Sequence, residues 1–539
     1  MGKLYYGDNL RILREKIPDQ SVDLIYLDPP FNSNADYNLL FREKTGNQSE
    51  SQIRAFSDTW KWGTEPEKTL DELIRGDWVP SNVSEAIQAI ADFIGRNDLL
   101  AYLVMMDVRL IELHRVLKDT GSIYLHCDPT ASHYLKIIMD TIFGPKNFRN
   151  EIIWKRTSAH NDPSRYGRIH DSILFYTKSE NFTYNAQYLP YSEDYITSFY
   201  KYTDPDGRKY RLDNLANPHP GGYNYEYKGY KPPENGWRMP VSTMERWESE
   251  GHIHFPESKD RRLAYKRYLD EMPGVPLQDV WDDISPLQGQ STERLGYPTQ
   301  KPLALLERIV SVSSNEGDVI LDPFCGCGTA IHAAQKLNRD WVGIDITHLA
   351  INLIRNRLLD TFRIMPQVEG EPTDVAGANA LAEQDRFQFQ AWALSLIGAR
   401  PSPRKVADHG IDGVIFNRKT EKDYFVGLVQ VKSGNVKPSD IRDLRGVIER
   451  DKADYGVFLS MKDATRDMVI EAAQAGFLET VWGEKVPRLQ ILTIQELLDG
   501  KKPEYPSIPD TYQKAEREKR RISNKGKDSR LDAFEENNF

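Results

Sequence analysis

Three short apolar runs in this chain each stop on an aspartate: Val22 to Leu27 ends at Asp28, Val319 to Leu321 at Asp322, and Trp341 to Ile344 at Asp345. Short apolar runs next to stretches with apolar residues at helical spacing read as buried strands alternating with helices. The helical stretches here are Asn9 to Lys16, Ala101 to Leu117, Ser132 to Ile142, Leu303 to Ser313, Ala330 to Lys336 and Thr347 to Arg357, and Ser122 to His126 adds a further strand. The pattern predicts a doubly wound α/β sheet, which binds ligands at the carboxyl ends of its strands. Such a sheet must bring Asp28 to the same edge as Asp322 and Asp345.

At 539 residues the chain exceeds the roughly 250 to 300 that one core holds, so two or more domains are expected. No stretch approaches the ~20 consecutive apolar residues of a membrane span. Met1 to Leu10 enters a folded pattern without a basic region, an apolar run or a cleavage site, so the expectation is a cytoplasmic protein without membrane contact. Three cysteines, Cys127, Cys325 and Cys327, exclude a disulfide framework and a four-cysteine zinc site. The net charge of −10 does not point to nucleic acid, but local placement of Lys and Arg decides that question.

The turn after Leu27 reads Asp28-Pro29-Pro30-Phe31. Its bland reading is a turn that ends a strand. Its chemical reading starts from an exocyclic amine, a poor nucleophile while its lone pair is delocalised into a ring. A carboxylate at Asp28 and the Pro29 carbonyl, held rigid by two prolines, accept the two N–H groups and free that lone pair. Phe31 then stacks on a base turned out of the duplex. The turn after Leu321 reads Asp322-Pro323-Phe324-Cys325-Gly326-Cys327-Gly328-Thr329. Its glycines let the backbone bend and approach a ligand closely, and Asp345 stands where a carboxylate grips a ribose diol.

Together with Tyr6-Gly7-Asp8-Asn9, Gly121 to His126, Asn150 to Trp154 and Pro298-Thr299-Gln300-Lys301-Pro302, these turns resemble the β group of amino-methyltransferases, including the modification subunits of type III restriction systems. The resemblance covers about residues 1 to 365. It implies a circularly permuted Rossmann-like methyltransferase using S-adenosyl-L-methionine on double-stranded DNA, with an inserted target-recognition region. It implies that Asp8 and Asn9 lie near the cofactor's adenine and Thr299 and Lys301 near its methionine end. Asp322, Pro323, Phe324, Gly326, Gly328 and Thr329 would form the cofactor loop, and Asp345 would lie at the ribose. An Asp-Pro-Pro start favours adenine N6 over cytosine N4.

Farther on, Gly410 to Phe416 and Phe425 to Lys432 read as a hairpin that brings Asp412 beside Gln430 and Lys432, the latter two on one face. An acid, an oxygen ligand and a lysine suit Mg²⁺ and an attacking water. This segment resembles the Mrr-like PD-(D/E)xK nuclease fold, a C-terminal α/β restriction-endonuclease-like domain, with Gln430 replacing an acid. The neutral ligand lowers the expected metal affinity.

The expected domains are a catalytic half at 1–154 with an insertion at about 42–98, a target-recognition region at 155–295, a cofactor-binding half at 296–365, a linker at 366–382, the nuclease-like domain at 383–500 and a charged tail at 501–539. Residues 155–295 hold more than half of the tyrosines, which either pack a small core or present stacking groups to DNA. The leading expectation is a fused modification and restriction enzyme, acting as a homodimer or with a restriction partner subunit. The alternatives are a solitary methyltransferase with an inactive DNA-binding appendage, and a non-catalytic assembly subunit. Methylation of RNA or of a protein amide fits the large insertion poorly.

Overall fold

The computed structural model describes residues 2–507 and 509, apart from 31–35, 43–47, 58–60, 160–163, 165, 289–290, 292, 296, 298, 403–410, 421–422 and 508. Phe31 and most of the expected tail therefore lie outside the described residues. Two compact units are present: one comprises Met1–Asn185 with Asp279–Phe539, the other Ala186–Gln278.

The first unit is built on a nine-stranded sheet. Its strands lie in the order Val280–Trp281, Phe148–Lys155, His170–Thr177, Leu117–Cys127, Val22–Leu27, Val319–Asp322, Asp340–Asp345, Lys3–Tyr6 and Val368–Glu369. His170–Thr177 runs antiparallel to both neighbours, and the other pairings are parallel. At the centre Leu24 pairs with Ile320 and Ile25 with Leu321. The α/β expectation holds, and this pairing sets Asp28 and Asp322 at the ends of adjacent strands.

Residues expected as an insertion form the helices Thr64–Arg75 and Ser81–Ile94. Leu73, Val83 and Ile87, each at most 1% exposed, join the same core as Leu103, Leu110 and Leu135. Part of the expected recognition region belongs to the sheet, because Ile173 to Tyr176, within the strand His170–Thr177, form an apolar stretch buried on both faces. The expected linker also carries regular structure. Val368–Glu369 adds an edge strand beside Leu4 and Tyr5, and Val375–Gln384 is a helix capped by Asp374, which accepts from Gly377 N at 2.7 Å. Among the described residues no helix is long and apolar enough to cross a membrane.

The second unit has its own four-stranded antiparallel sheet, ordered Ile253–His254, Ala264–Tyr268, Lys209–Asn214, Tyr202–Thr203. Trp237, Met244 and Tyr230 fill a small core. Of its tyrosines, Tyr188, Tyr202 and Tyr223 remain exposed.

Beyond residue 400 a five-stranded sheet runs Arg400–Pro401, Gly413–Arg418, Tyr424–Lys432, Tyr455–Ser460, Leu489–Thr493. The helix Arg386–Leu396 packs on it through Phe389 and Trp392.

Candidate functional site

Asp8 begins the site by capping the helix Asn9–Lys16, where its Oδ1 accepts from Arg11 N at 3.1 Å. Its Oδ2 accepts from Arg109 Nη2 at 2.8 Å, and Arg109 Nε donates to Asn9 Oδ1 at 2.6 Å. Asn9 Nδ2 donates in turn to the Pro323 carbonyl at 2.8 Å, tying the start of the chain to the glycine-rich turn. Burial weakens Arg109's hold on its proton, and Asp8 opposes that effect. Nothing in the sequence reading singled out Arg109. The available signal was a cation flanked by Val108 and Leu110 in a largely apolar helix.

The glycine-rich turn depends on two left-handed residues, Gly326 at φ +49° and Gly328 at φ +74°. Asp345 fastens it from the next strand: Oδ2 accepts from Gly326 N at 2.9 Å, and Oδ1 accepts from Thr347 N at 2.9 Å and its hydroxyl at 2.8 Å. Both oxygens keep lone pairs for a further donor. Burial raises the Asp345 carboxyl to about 6 despite these bonds. Behind the turn the buried Arg357 donates to the Cys327 carbonyl and to Thr329 Oγ1, both at 3.2 Å, and to His332 Nδ1 at 2.9 Å. Cys325 and Cys327 are buried, and no metal-holding group of three or more His, Cys, Asp or Glu occurs among the described residues.

These pieces enclose a cavity of about 260 Å³, walled by Asp28, Pro29 and Pro30 on one side and by Phe324, Gly326 and Asp345 on the other. Asp8, Asn9, Thr299, Lys301, Asp322, Pro323 and Thr329 also border it, and Gly328 lies within the turn. Tyr26, Arg109 and Tyr297 line it as well, although the sequence reading assigned them no role. Lys301 Nζ lies 2.5 Å from Asp28 Oδ2, in a pair whose side chains are 11% and 15% exposed. Asp28 Oδ1 is buried and accepts no hydrogen bond among the described residues. Burial, followed by the nearby Asp28 and Asp345, drives the Asp322 carboxyl far above its usual range. A pocket this rich in carboxyls suits a cationic ligand.

Before the Asp28-Pro29-Pro30 turn, the Tyr26 hydroxyl shares a hydrogen bond with His126 Nδ1 at 2.9 Å. His126 Nε2 meets Asp171 Oδ2 at 3.2 Å, and Arg156 Nε lies 3.3 Å from Asp171 Oδ1. The row ties together three adjacent strands of the sheet near the cavity.

In the C-terminal sheet, the register Gly413 to Val429 continues to set Asp412 across from Gln430. Asp412 Oδ2 accepts from Val431 N at 2.7 Å and Oδ1 from Gln390 Nε2 at 3.0 Å. Burial raises its carboxyl to about 6, with the Val431 amide and Lys432 opposing. Gln430 Oε1 is buried without a donor among the described residues, and Lys432 Nζ stands 3.7 Å from Asp440 Oδ1. The helix that carries Gln390 also carries Gln388, whose Oε1 accepts from His348 N at 3.4 Å. His348 stacks on Tyr6 with centroids 3.7 Å apart, so one helix touches both His348, beside Tyr6, and Asp412.

The type II methyltransferase M.EcaI of Enterobacter cloacae is 32% identical over 261 residues, covering 48% of this chain and 57% of that protein. The type III restriction-modification enzyme StyLTI Mod subunit of Salmonella typhimurium is 27% identical over 350 residues, covering 62% of this chain and 50% of that one. The chain thus spans about half the length of these curated relatives. Among solved structures, the M1.HpyAVI–SAM complex aligns with 66% of this chain and 99% of its own at 14% identity and a TM-score of 0.31. Residues 385–489 are similar to a restriction endonuclease family model. Residues 22–356, more than half of the chain, match the DNA methylase family model, and the chain belongs to that family.

Proposed function

We propose that this chain methylates the N6 amine of adenine in double-stranded DNA, using S-adenosyl-L-methionine, as the modification component of a restriction-modification system. The observation that carries the reading is one cavity at which Asp28 meets Lys301 and the glycine-rich turn, both of which lie far downstream in the chain. The cavity fits this donor: its carboxyls match a cation, Asp345 has lone pairs for a ribose hydroxyl, and Asp28 Oδ1 meets no donor among the described residues. When bound, the donor would supply a sulfonium methyl carbon; the amine's lone pair would form the N–C bond as the C–S pair leaves on sulfur, and the methylated amine would release one proton to water. Asp28 and the Pro29 carbonyl accept the two amine N–H groups, which aims the lone pair. Catalysis is then positioning and electrostatics. The prolines keep this turn stiff.

Asp28→Ala is expected to lower methyl transfer to unmethylated duplex DNA by about 100-fold or more while leaving donor binding within a few-fold. Radiolabelled methyl transfer and calorimetry measure the two quantities. Full activity in the variant removes the catalytic assignment, and mapping methylated bases in cells that express the chain decides between adenine N6 and cytosine N4.

For residues 383–500 the corresponding proposal is Mg²⁺-dependent DNA cleavage. Asp412 and Gln430 would hold the ion, which would polarise a water against the phosphodiester. Gln430 Oε1, buried without a donor among the described residues, and the Asp412 carboxyl raised by burial are compatible with a bound cation. A second reading, a DNA-binding appendage without cleavage, is favoured by the bonds that Gln390 and Val431 already make to both Asp412 oxygens.

A further inference from the structure

Lys301 sits in a loop that is braced against itself. Gln300 Oε1 accepts from Leu295 N and its Nε2 donates to the Glu293 carbonyl, both at 2.8 Å, while Glu293 Oε1 accepts from Leu303 N at 2.7 Å. The lysine is therefore presented by a preorganised turn, followed at once by Pro302 and the helix Leu303–Ser313. Its ammonium contacts Asp28 Oδ2 inside a largely buried pair and lies within electrostatic reach of Asp322 and Asp171. Carboxyl groups thus crowd this cation. Moving it to the carboxylate of a bound donor would strip Asp28 Oδ2 of its partner. Asp28 Oδ1 would remain as it is now, buried and without a donor among the described residues. A buried acceptor left empty is costly, and one held empty beside a ligand cavity is explained when the ligand brings the donor.

We propose that Lys301 is a positioning residue for Asp28: it holds Oδ2 so that Oδ1 is the atom that accepts an N–H of the target amine, and it does not grip the methionine end of the methyl donor. The assignment rests on the methyl-transfer reading above. It also changes the role that the motif resemblance gave to Lys301. The accepting carboxylate is oriented by a residue 273 positions away in the chain.

The test compares wild type, Lys301→Met, Lys301→Gln and Lys301→Arg as full chains, with S-adenosylmethionine and unmethylated duplex DNA amplified from a bacterial genome. Lys301→Met is expected to lower kcat by about 100-fold with donor Kd and KM within about threefold, and Lys301→Arg to recover at least about tenfold of that loss. A general structural defect would not divide kcat from KM in this way, nor be repaired by a second cation. If Lys301→Met folds poorly, Lys301→Gln serves as the neutral variant with the same expectation. The proposal is overturned if either neutral variant weakens donor binding by about tenfold or more with kcat intact at saturating donor, or leaves both constants unchanged. Wild type that binds no S-adenosylmethionine removes the methyl-transfer reading itself, and this proposal with it.

Discussion

In the helix Asp98–Val116, Asp107 is 1% exposed, and neither carboxyl oxygen meets a hydrogen-bond donor among the described residues. Burial raises its carboxyl to about 8, against an unfolded value of about 3.9. Below pH ~4 both states keep the proton; between ~4 and ~8 only the folded chain does, so stability falls by up to about 1.4 kcal/mol per pH unit as pH rises through that window. Asp107→Asn is expected to melt several degrees higher than wild type at pH 8, with the two melting curves converging towards pH 4. A constant gap at pH 5 and pH 8 would show that this carboxyl does not titrate there. Individual residues were legible in the sequence where their chemistry showed in a local string, as with Asp28 or Gly326. Arg109 and Tyr26 were not, because their partners lie about a hundred residues away, and Tyr297 was not, because only the fold sets it beside Gly326.

The glycine-rich turn shows the same dependence at the level of an element. A Cβ on Gly328 would lie 2.7 Å from Ile354 Cγ1, and its φ of +74° is a conformation L-residues avoid. Gly328→Ala is expected to cost about 1–3 kcal/mol and to weaken donor binding, measured by thermal melting and calorimetry. Gly446→Ala, inside the helix Pro438–Arg450 with nothing within 4 Å of the added carbon, serves as the control and should be neutral or stabilising. Strands with a run of apolar residues and helices with clear spacing could be read directly. The two-residue strand Val368–Glu369 could not, since only its pairing with Leu4 and Tyr5 creates it, and its Pro- and Gly-rich surroundings resemble a linker. The helix Val375–Gln384 left a fainter trace, an Asp374 cap before an alanine-rich stretch.

Over the whole molecule, two chemical centres are expected to be separable by mutation. Lys432→Ala should abolish Mg²⁺-dependent cleavage while leaving methyl transfer unchanged, scored by plasmid nicking and by radiolabel incorporation on the same preparation. A wild-type chain that cuts no unmethylated DNA would instead support the appendage reading. The family and the α/β class were legible because several motifs recur at strand ends; the pairing of Val22–Leu27 with Val319–Asp322 was legible only as a requirement. That pairing has a consequence for biosynthesis. At about 5–20 residues per second, the ribosome needs roughly 15 to 60 s to make the chain between these neighbours. Throughout that interval the nascent Leu24-Ile25-Tyr26-Leu27 segment has no partner on one side, an open edge of the kind that chaperones must shield. Slower, cooler expression with abundant chaperone should therefore favour soluble product over aggregate.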